Sequence, residues 1–450
     1  MSEVASRDWW RRTAPGAAAS APAGAEAERS SAVPFWALMA FTYVMLLAPQ
    51  NSYPVLAPLR LALLAAVVAM AAHVYDRMTR QQPITVLARE VRITGALVAW
   101  GVATVPLSTW PGGSVSLITD LYVKSIAIFL LLANTVNTLG RLRKMMWALT
   151  LMTIPLAFTG VQNFLSGSFV RTGDGVGKIV GYEAGLTKNP NDLAMMLNLL
   201  LPIGLGLLLG ARSLPARLAV AAVVGLDAIG IVVTFSRAGF LALGATTIGL
   251  FATMCRRPER GWAWATVVVF VAALPLLPAN YVSFLGTITD TEADPTGSAQ
   301  HRREQQLAAL RYIATHPIVG AGIGMSIQAM NEEMGPAWVA VHNAYLQAGT
   351  DLGLPGLVLI VLLVAQSIRS AGGVARRFAT HPDGREMFYL AKGIQLSLCS
   401  FAVSAFFAPV AYHFQLYYVA GLAVAVTLVG RAETTGATPD VRPPAVARAV

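Results

Sequence analysis

Apolar runs of near-constant length dominate this chain, at about residues 34–49, 55–75, 92–110, 115–138, 144–165, 190–210, 214–235, 238–255, 262–285, 343–368, 388–410 and 413–430. A helix needs roughly 20 mainly apolar residues to cross a bilayer. A chain that repeats this length so often has too little polar surface for a water-soluble fold. Composition agrees: 55% of the 450 residues are apolar, 12% are charged and the mean hydropathy is +0.58, outside the range of soluble globular domains. The expected fold is an all-α polytopic membrane protein of about 12 transmembrane helices.

The same runs divide the chain. Residues 1–33 carry Arg7, Arg11 and Arg12 and then an Ala/Pro/Gly/Ser-rich stretch without an apolar core, and are expected to form a disordered cytoplasmic tail. Residues 34–285 hold helices one to nine, 286–342 a large loop with amphipathic helices, 343–430 helices ten to twelve, and 431–450 a second cytoplasmic tail. The formal charge of +10 could point to nucleic acid, but Lys and Arg come in small clusters between apolar runs. They report topology instead. With both termini cytoplasmic, most of the 33 Lys and Arg fall on the cytoplasmic side, as the positive-inside rule requires.

The exceptions are Arg171, Lys178, Lys188, Arg237, Arg302, Arg303 and Arg311. All but Arg237 lie in the two long exterior connections, about 166–188 and 286–342. Arg237 stands between two spans in TFSRAG, a hinge that gives it little freedom to snorkel outwards. An exterior site is therefore expected to be built from these loops and the helix ends beneath them. Within the longer loop, residues 299–314 read as an amphipathic helix with Leu307, Leu310 and Ile313 or Ala314 at helical spacing. Two arginines in its first turn oppose the helix dipole and make better sense facing an anion. Gly320 to Gly324, GAGIG, follows a helix and has no βαβ unit around it, so it reads as a turn needing glycine torsions and not as a dinucleotide loop. In KNPND, Asn189 caps a helix with Pro190 in its first turn, presenting free N–H groups beside Lys188 to an anion.

His342 ends the cation-bearing loop and precedes the apolar run that starts at Asn343. It reads either as a satisfied histidine at a helix start or as the one exterior base suited to taking a proton near neutrality; its position favours the base. Lys124 and Asp227 lie inside spans, where a structural ion pair is expected. Cys255 and Cys399 have no metal-ligand spacing, the exterior acids form no compact ligand pattern, and no serine-nucleophile motif occurs. No metal and no cofactor is expected.

KNPNDLA (188–194), TFSRAGFLAL (234–243), HRREQQLAALRYIATHPIVGAGIG (301–324) and VHNAYLQAGTDLGLPGL (341–357) together resemble the O-antigen ligase family, whose relatives include O-antigen polymerases and protein O-oligosaccharyltransferases. Gln306 and Asp351 depart from residues common in that family, Trp and Glu. The resemblance implies a GT-C-like glycosyltransferase. It would move an O-antigen glycan from undecaprenyl diphosphate to a sugar hydroxyl of lipid A-core at the periplasmic face of the bacterial inner membrane, without metal and with inversion. Arg302 and Arg237 would then hold the diphosphate and His342 would orient or deprotonate the acceptor. Arg171, Lys188, Arg303, Asn343 and Tyr345 would serve as substrate-binding residues. Polymerase and protein-glycosylating activities are the alternatives within the family, and a transporter or flippase for a lipid-linked substrate is the alternative outside it.

Overall fold

The computed structural model describes all of the chain except residues 1–30, 172–176, 185–186, 256, 258–259, 274–297, 337 and 437–450. The first described helix, α1, is Val33–Leu47. Residues 1–30 of the expected first tail and 437–450 of the expected second tail lie outside the described residues. Then follow α2 (Pro54–Thr79), α3 (Arg89–Leu107), α4 (Pro111–Thr135), α5 (Leu139–Leu165), α6 (Pro190–Gly210), α7 (Leu214–Val233) and α8 (Arg237–Met254). Further along are α9 (Arg260–Ala273), α10 (Ser298–Thr315), α11 (Ser326–Met334), α12 (Ala344–Phe378), α13 (Arg385–Ser404) and α14 (Phe414–Gly436). Among the described residues ten helices are long and apolar enough to cross a membrane. With α1 and the described part of α9 they match the apolar runs one for one. The protein is an all-helical polytopic membrane protein.

Some bounds differ from expectation. α14 continues to Gly436, past the tail boundary expected at 431, and α12 extends to Phe378, beyond 368. The exterior segment 166–188 was expected to be loop, yet Phe169–Arg171 (β1) pairs antiparallel with Gly177–Ile179 (β2). Within α4, residues Ile118–Tyr122 form a single π-helical turn. The Lys124–Asp227 ion pair does not form. Asp227 is buried on α7 and accepts a 2.9 Å hydrogen bond from Thr153 Oγ1 of α5, while Lys124 lies on the outer surface of α4. The Thr153 hydroxyl engages one carboxyl oxygen, Oδ2, while Oδ1 is buried without a hydrogen-bond partner.

The core is organised around α6, in which every residue from Leu193 to Gly210 is buried. Such uniform burial suits its sequence, which is apolar on all sides. α6 lies against α13 at backbone distance. A Cβ on Gly206 would stand 2.7 Å from the Tyr389 carbonyl oxygen, and one on Gly393 would stand 2.7 Å from that of Pro202. In a membrane, lipid is as apolar as leucine, so close backbone approach through small residues is a main source of helix association. Ser397 Oγ also donates to the Leu199 carbonyl across this interface. Gly393→Ala is expected to force the helices apart and cost about 1–3 kcal/mol, seen as a lower midpoint of thermal unfolding in detergent; an unchanged midpoint would contradict the close contact.

Candidate functional site

The site rests on a break in α12. Gly353 has φ 66° and ψ −168°, a conformation essentially reserved for glycine. Pro355 then lacks the N–H that would continue the ladder. The break frees backbone groups inside the protein, where each must find a partner. The Thr350 carbonyl accepts from Ala321 N–H at 2.8 Å, the Leu352 carbonyl accepts from Trp100 Nε1–H at 2.9 Å, and Leu354 N–H donates to the Pro317 carbonyl at 2.7 Å. Two of these three partners belong to HPIVGAGIG, the segment that closes α10.

That segment can make the contact because its glycines lack side chains. Gly320, Gly322 and Gly324 all have positive φ, as the sequence led us to expect. A Cβ on Gly320 would stand 2.5 Å from the Thr350 carbonyl oxygen, and one on Gly322 would stand 2.3 Å from Ser108. On its other side the turn is held by the start of α4, where Ser114 Oγ donates to the Ile323 carbonyl at 2.9 Å. The turn is clamped between the ends of α3 and α4 and the break in α12.

Fixed at this end, α10 lies parallel to the first turns of α12. Ile313 seats against Gly349, and Gln305 meets His342. The buried face of α10 is Gln305, Ala308, Ala309, Tyr312 and Ile313, whereas Leu307 and Leu310 are exposed. This corrects the expected amphipathic face by roughly one helical step: small alanines, not leucines, allow α10 to close on α11 and α12.

His342 is partly buried, and its Nδ1 lies 3.0 Å from Gln305 Oε1. With the Gln305 amide oxygen as acceptor, the hydrogen sits on Nδ1 and the lone pair of the neutral ring on Nε2. Burial lowers the pKa of His342 below 6.5, and the Arg302 guanidinium, with a smaller effect from His301, lowers it further against the opposing Ala340 carbonyl. Arg302 is thus within electrostatic reach of the histidine. The two residues singled out most strongly from the sequence lie at one end of α10 and the start of α12, joined through the Gln305–His342 contact. Gln305 was not anticipated. Its signal was its place three residues after Arg302, on the same helical face.

The other sequence candidates are placed differently. Asn343 Oδ1 caps α12, accepting from the N–H groups of Tyr345 and Leu346 at 3.0 and 3.1 Å. Tyr345 Oη donates to the Ala402 carbonyl at 3.0 Å, tying α12 to α13. Both oxygens are thus engaged within the protein. Arg303 is exposed, and Arg311 pairs with Glu333 of α11 at 3.1 Å. Arg171 belongs to β1 by its backbone.

A second cationic group borders the first. Asn189 caps α6 as expected, its Oδ1 accepting from Asn191 N–H at 2.8 Å, with Lys188 exposed beside it. Arg237 opens α8 after a sharp turn at Phe235 (φ 52°), and Ser236 Oγ caps it by accepting from Gly239 N–H at 3.2 Å. Gly239 lies against Ala194, and its carbonyl accepts from Asn198 Nδ2 at 3.0 Å, so the starts of α6 and α8 are neighbours. α13 runs antiparallel to α6 and ends beside α6's first turns. Just beyond that end, the Ala405 carbonyl accepts from Ala344 N–H at 2.7 Å. The Arg237–Lys188 group and the Arg302–His342 group therefore flank one end of α13. Among the described residues no group of three or more His, Cys, Asp or Glu is arranged to hold a metal ion.

A polytopic helical bundle with cations and a neutral histidine, His342, at one rim is suited to an anionic substrate that approaches along the membrane. Residues 196–361 match the family model described as O-antigen ligase. The match takes in Arg237, Arg302, Gln305 and His342. Members of the family are glycosyltransferase-like enzymes, ligases and polymerases. No curated protein matches the chain at a significant level.

Because the His342 pKa is lowered from 6.5, the ring is more than half neutral at pH 6.5 and its protonation is centred at a lower pH. A rate that depends on the neutral ring is expected to fall with a midpoint below pH 6.5. Gln305→Ala, by freeing the ring, should lower the rate by up to about 10²-fold at pH 7. A decline already centred above pH 6.5, or a Gln305→Ala enzyme of full rate, would contradict this geometry.

Proposed function

We propose that the protein is an O-antigen ligase, transferring the glycan of undecaprenyl-diphosphate-linked O-antigen to a sugar hydroxyl of lipid A-core at the periplasmic face of the inner membrane. The observation that carries this reading is the apposition of Arg302 and a neutral, oriented His342 at the rim, within residues that match a family whose members act on lipid-linked O-antigen and lipid A-core. Both substrates are anchored in lipid, which agrees with a site at the ends of spanning helices.

In the proposed step the acceptor oxygen attacks the anomeric carbon as the bond from that carbon to the diphosphate oxygen breaks. The bonding pair leaves on the diphosphate, and the acceptor proton passes to His342 Nε2. Fixed positive charge compensates the charge that builds on the leaving group. Arg302 and Arg237 supply it, and the arginine fork suits bidentate phosphate contact. Lys188 and the start of α6 extend the cationic rim, with Arg171 and Arg303 as outer cations. Asn343 and Tyr345 contribute by fixing the start of α12. The chemistry asks nothing of a metal, since diphosphate leaves as a stabilised anion.

The test uses purified full-length protein, lipid A-core and undecaprenyl-diphosphate glycan in excess EDTA. Wild type should form capped lipopolysaccharide. His342→Ala should lose about 10²- to 10⁴-fold in rate, and Arg302→Ala about 10²- to 10³-fold, with both variants folded. If wild type instead lengthens the lipid-linked glycan and leaves lipid A-core bare, the protein is a polymerase. If nothing is transferred, transport of a lipid-linked substrate replaces the enzymatic reading.

A further inference from the structure

At the end of the bundle opposite the site, three cations from different parts of the chain gather, and among the described residues none of them forms an ion pair with an acid. Lys392 lies on α13, about two turns in from its start, and is partly buried. The charged side chains that bear on it, Arg376 of α12 and Arg257 just after α8, are cations too. Cationic side chains at membrane depth are costly unless they meet an anion. Glu386, the acid on α13, is engaged by Arg143, whose Nη2 donates to its Oε2 at 2.8 Å.

Lys392 and Arg257 are held in place. Lys392 Nζ donates to Gln395 Oε1 at 2.8 Å, and Gln395 packs against Gly372, where a Cβ would stand 2.3 Å from its amide nitrogen. The Arg257 guanidinium lies 3.7 Å from the centre of the Phe388 ring, and its Nη2 donates to the Ala379 carbonyl at 3.4 Å. An ammonium has three donors, and Lys392 uses one on Gln395. Beside it runs a shallow crevice between α6, α8 and α13, lined by Leu205, Leu209, Leu250, Met254 and Leu396.

A cationic cluster in which Lys392 and Arg257 are held in place and Arg376 is exposed, beside the apolar ends of spanning helices, matches one ligand chemistry: a phosphate joined to an acyl chain. We propose that this is a binding site for an anionic phospholipid, its phosphate held by Lys392, Arg376 and Arg257 and its chains against the apolar outer surface of the neighbouring helices. Basic pockets between transmembrane helices hold acidic lipid headgroups by this combination of charge and apolar surface. The proposal stands apart from the reaction proposed above, since these residues lie at the other end of α12.

The experiment is native mass spectrometry of the full-length protein released from detergent, with phosphatidylglycerol or phosphatidylcholine added in turn. Wild type is expected to retain phosphatidylglycerol and not phosphatidylcholine. The Lys392→Gln/Arg376→Gln variant should retain it roughly tenfold less or lower still. Arg212→Gln/Arg217→Gln removes the same charge from the loop after α6 and the first turn of α7 and should retain it as wild type does. Equal retention by the two double variants, or equal retention of the two lipids, would overturn the site, and displacement of the lipid by inorganic phosphate would overturn the part assigned to the chain. If the double variant does not fold, Lys392→Gln alone, with a severalfold loss expected, decides the same question.

Discussion

The break at Gly353 is the constraint on which the site depends. An unbroken α12 would satisfy its own backbone and leave nothing for a loop to bind. Broken, it presents the Thr350 carbonyl and the Leu354 N–H to the segment between Pro317 and Ala321. A buried backbone group left unpaired costs about 1–3 kcal/mol, so the two segments are held in one register. That register lays α10 along α12 and sets Gln305 and Arg302 against His342. Glycines at Gly320, Gly322 and Gly353 are needed on both sides of the joint, because a side chain on any of them would meet backbone or a neighbouring helix.

The electrostatic character of the site follows from this joint. A histidine at a membrane rim would ordinarily titrate near 6.5. Here partial burial and Arg302 favour the neutral ring, while Gln305 fixes which nitrogen is basic. The same arginine therefore does two things: it keeps the base unprotonated, and it offers charge to an anionic leaving group. One placement of α10 serves both, so disturbing the joint should impair proton transfer and phosphate binding together.

Much of this was legible in the sequence, for identifiable reasons. The spans were readable because their length is set by the bilayer and not by partners. The cap at Asn189 and the glycine turn at 320–324 were readable because each has a local stereochemical cause. His342 and Arg302 stood out as an exterior base and an exterior cation in a chain that keeps most of its positive charge on the other side. The rest depended on tertiary contacts. The buried face of α10 was misjudged because leucine is the more apolar residue, yet alanine fits the narrow gap to α11 and α12. Lys124 and Asp227 suggested a pair only because both were charged; Thr153 was invisible as a partner until α5 and α7 were side by side. That the Asn343 oxygen caps α12 and the Tyr345 hydroxyl ties it to α13 became visible only with the helices in place. The strand pair at Phe169–Arg171 and Gly177–Ile179 is too short to carry a readable alternation.

The measurement that addresses the central claim most directly is the pKa of His342 itself, from NMR of the ring-labelled protein in detergent, in wild type and in Arg302→Gln. The joint at Gly353 places the guanidinium near the imidazole, so the wild-type value should lie below 6.5 and should rise when Arg302 loses its charge. A His342 that titrates at its ordinary value, or one indifferent to Arg302, would mean that the joint does not bring α10 and α12 together in this register.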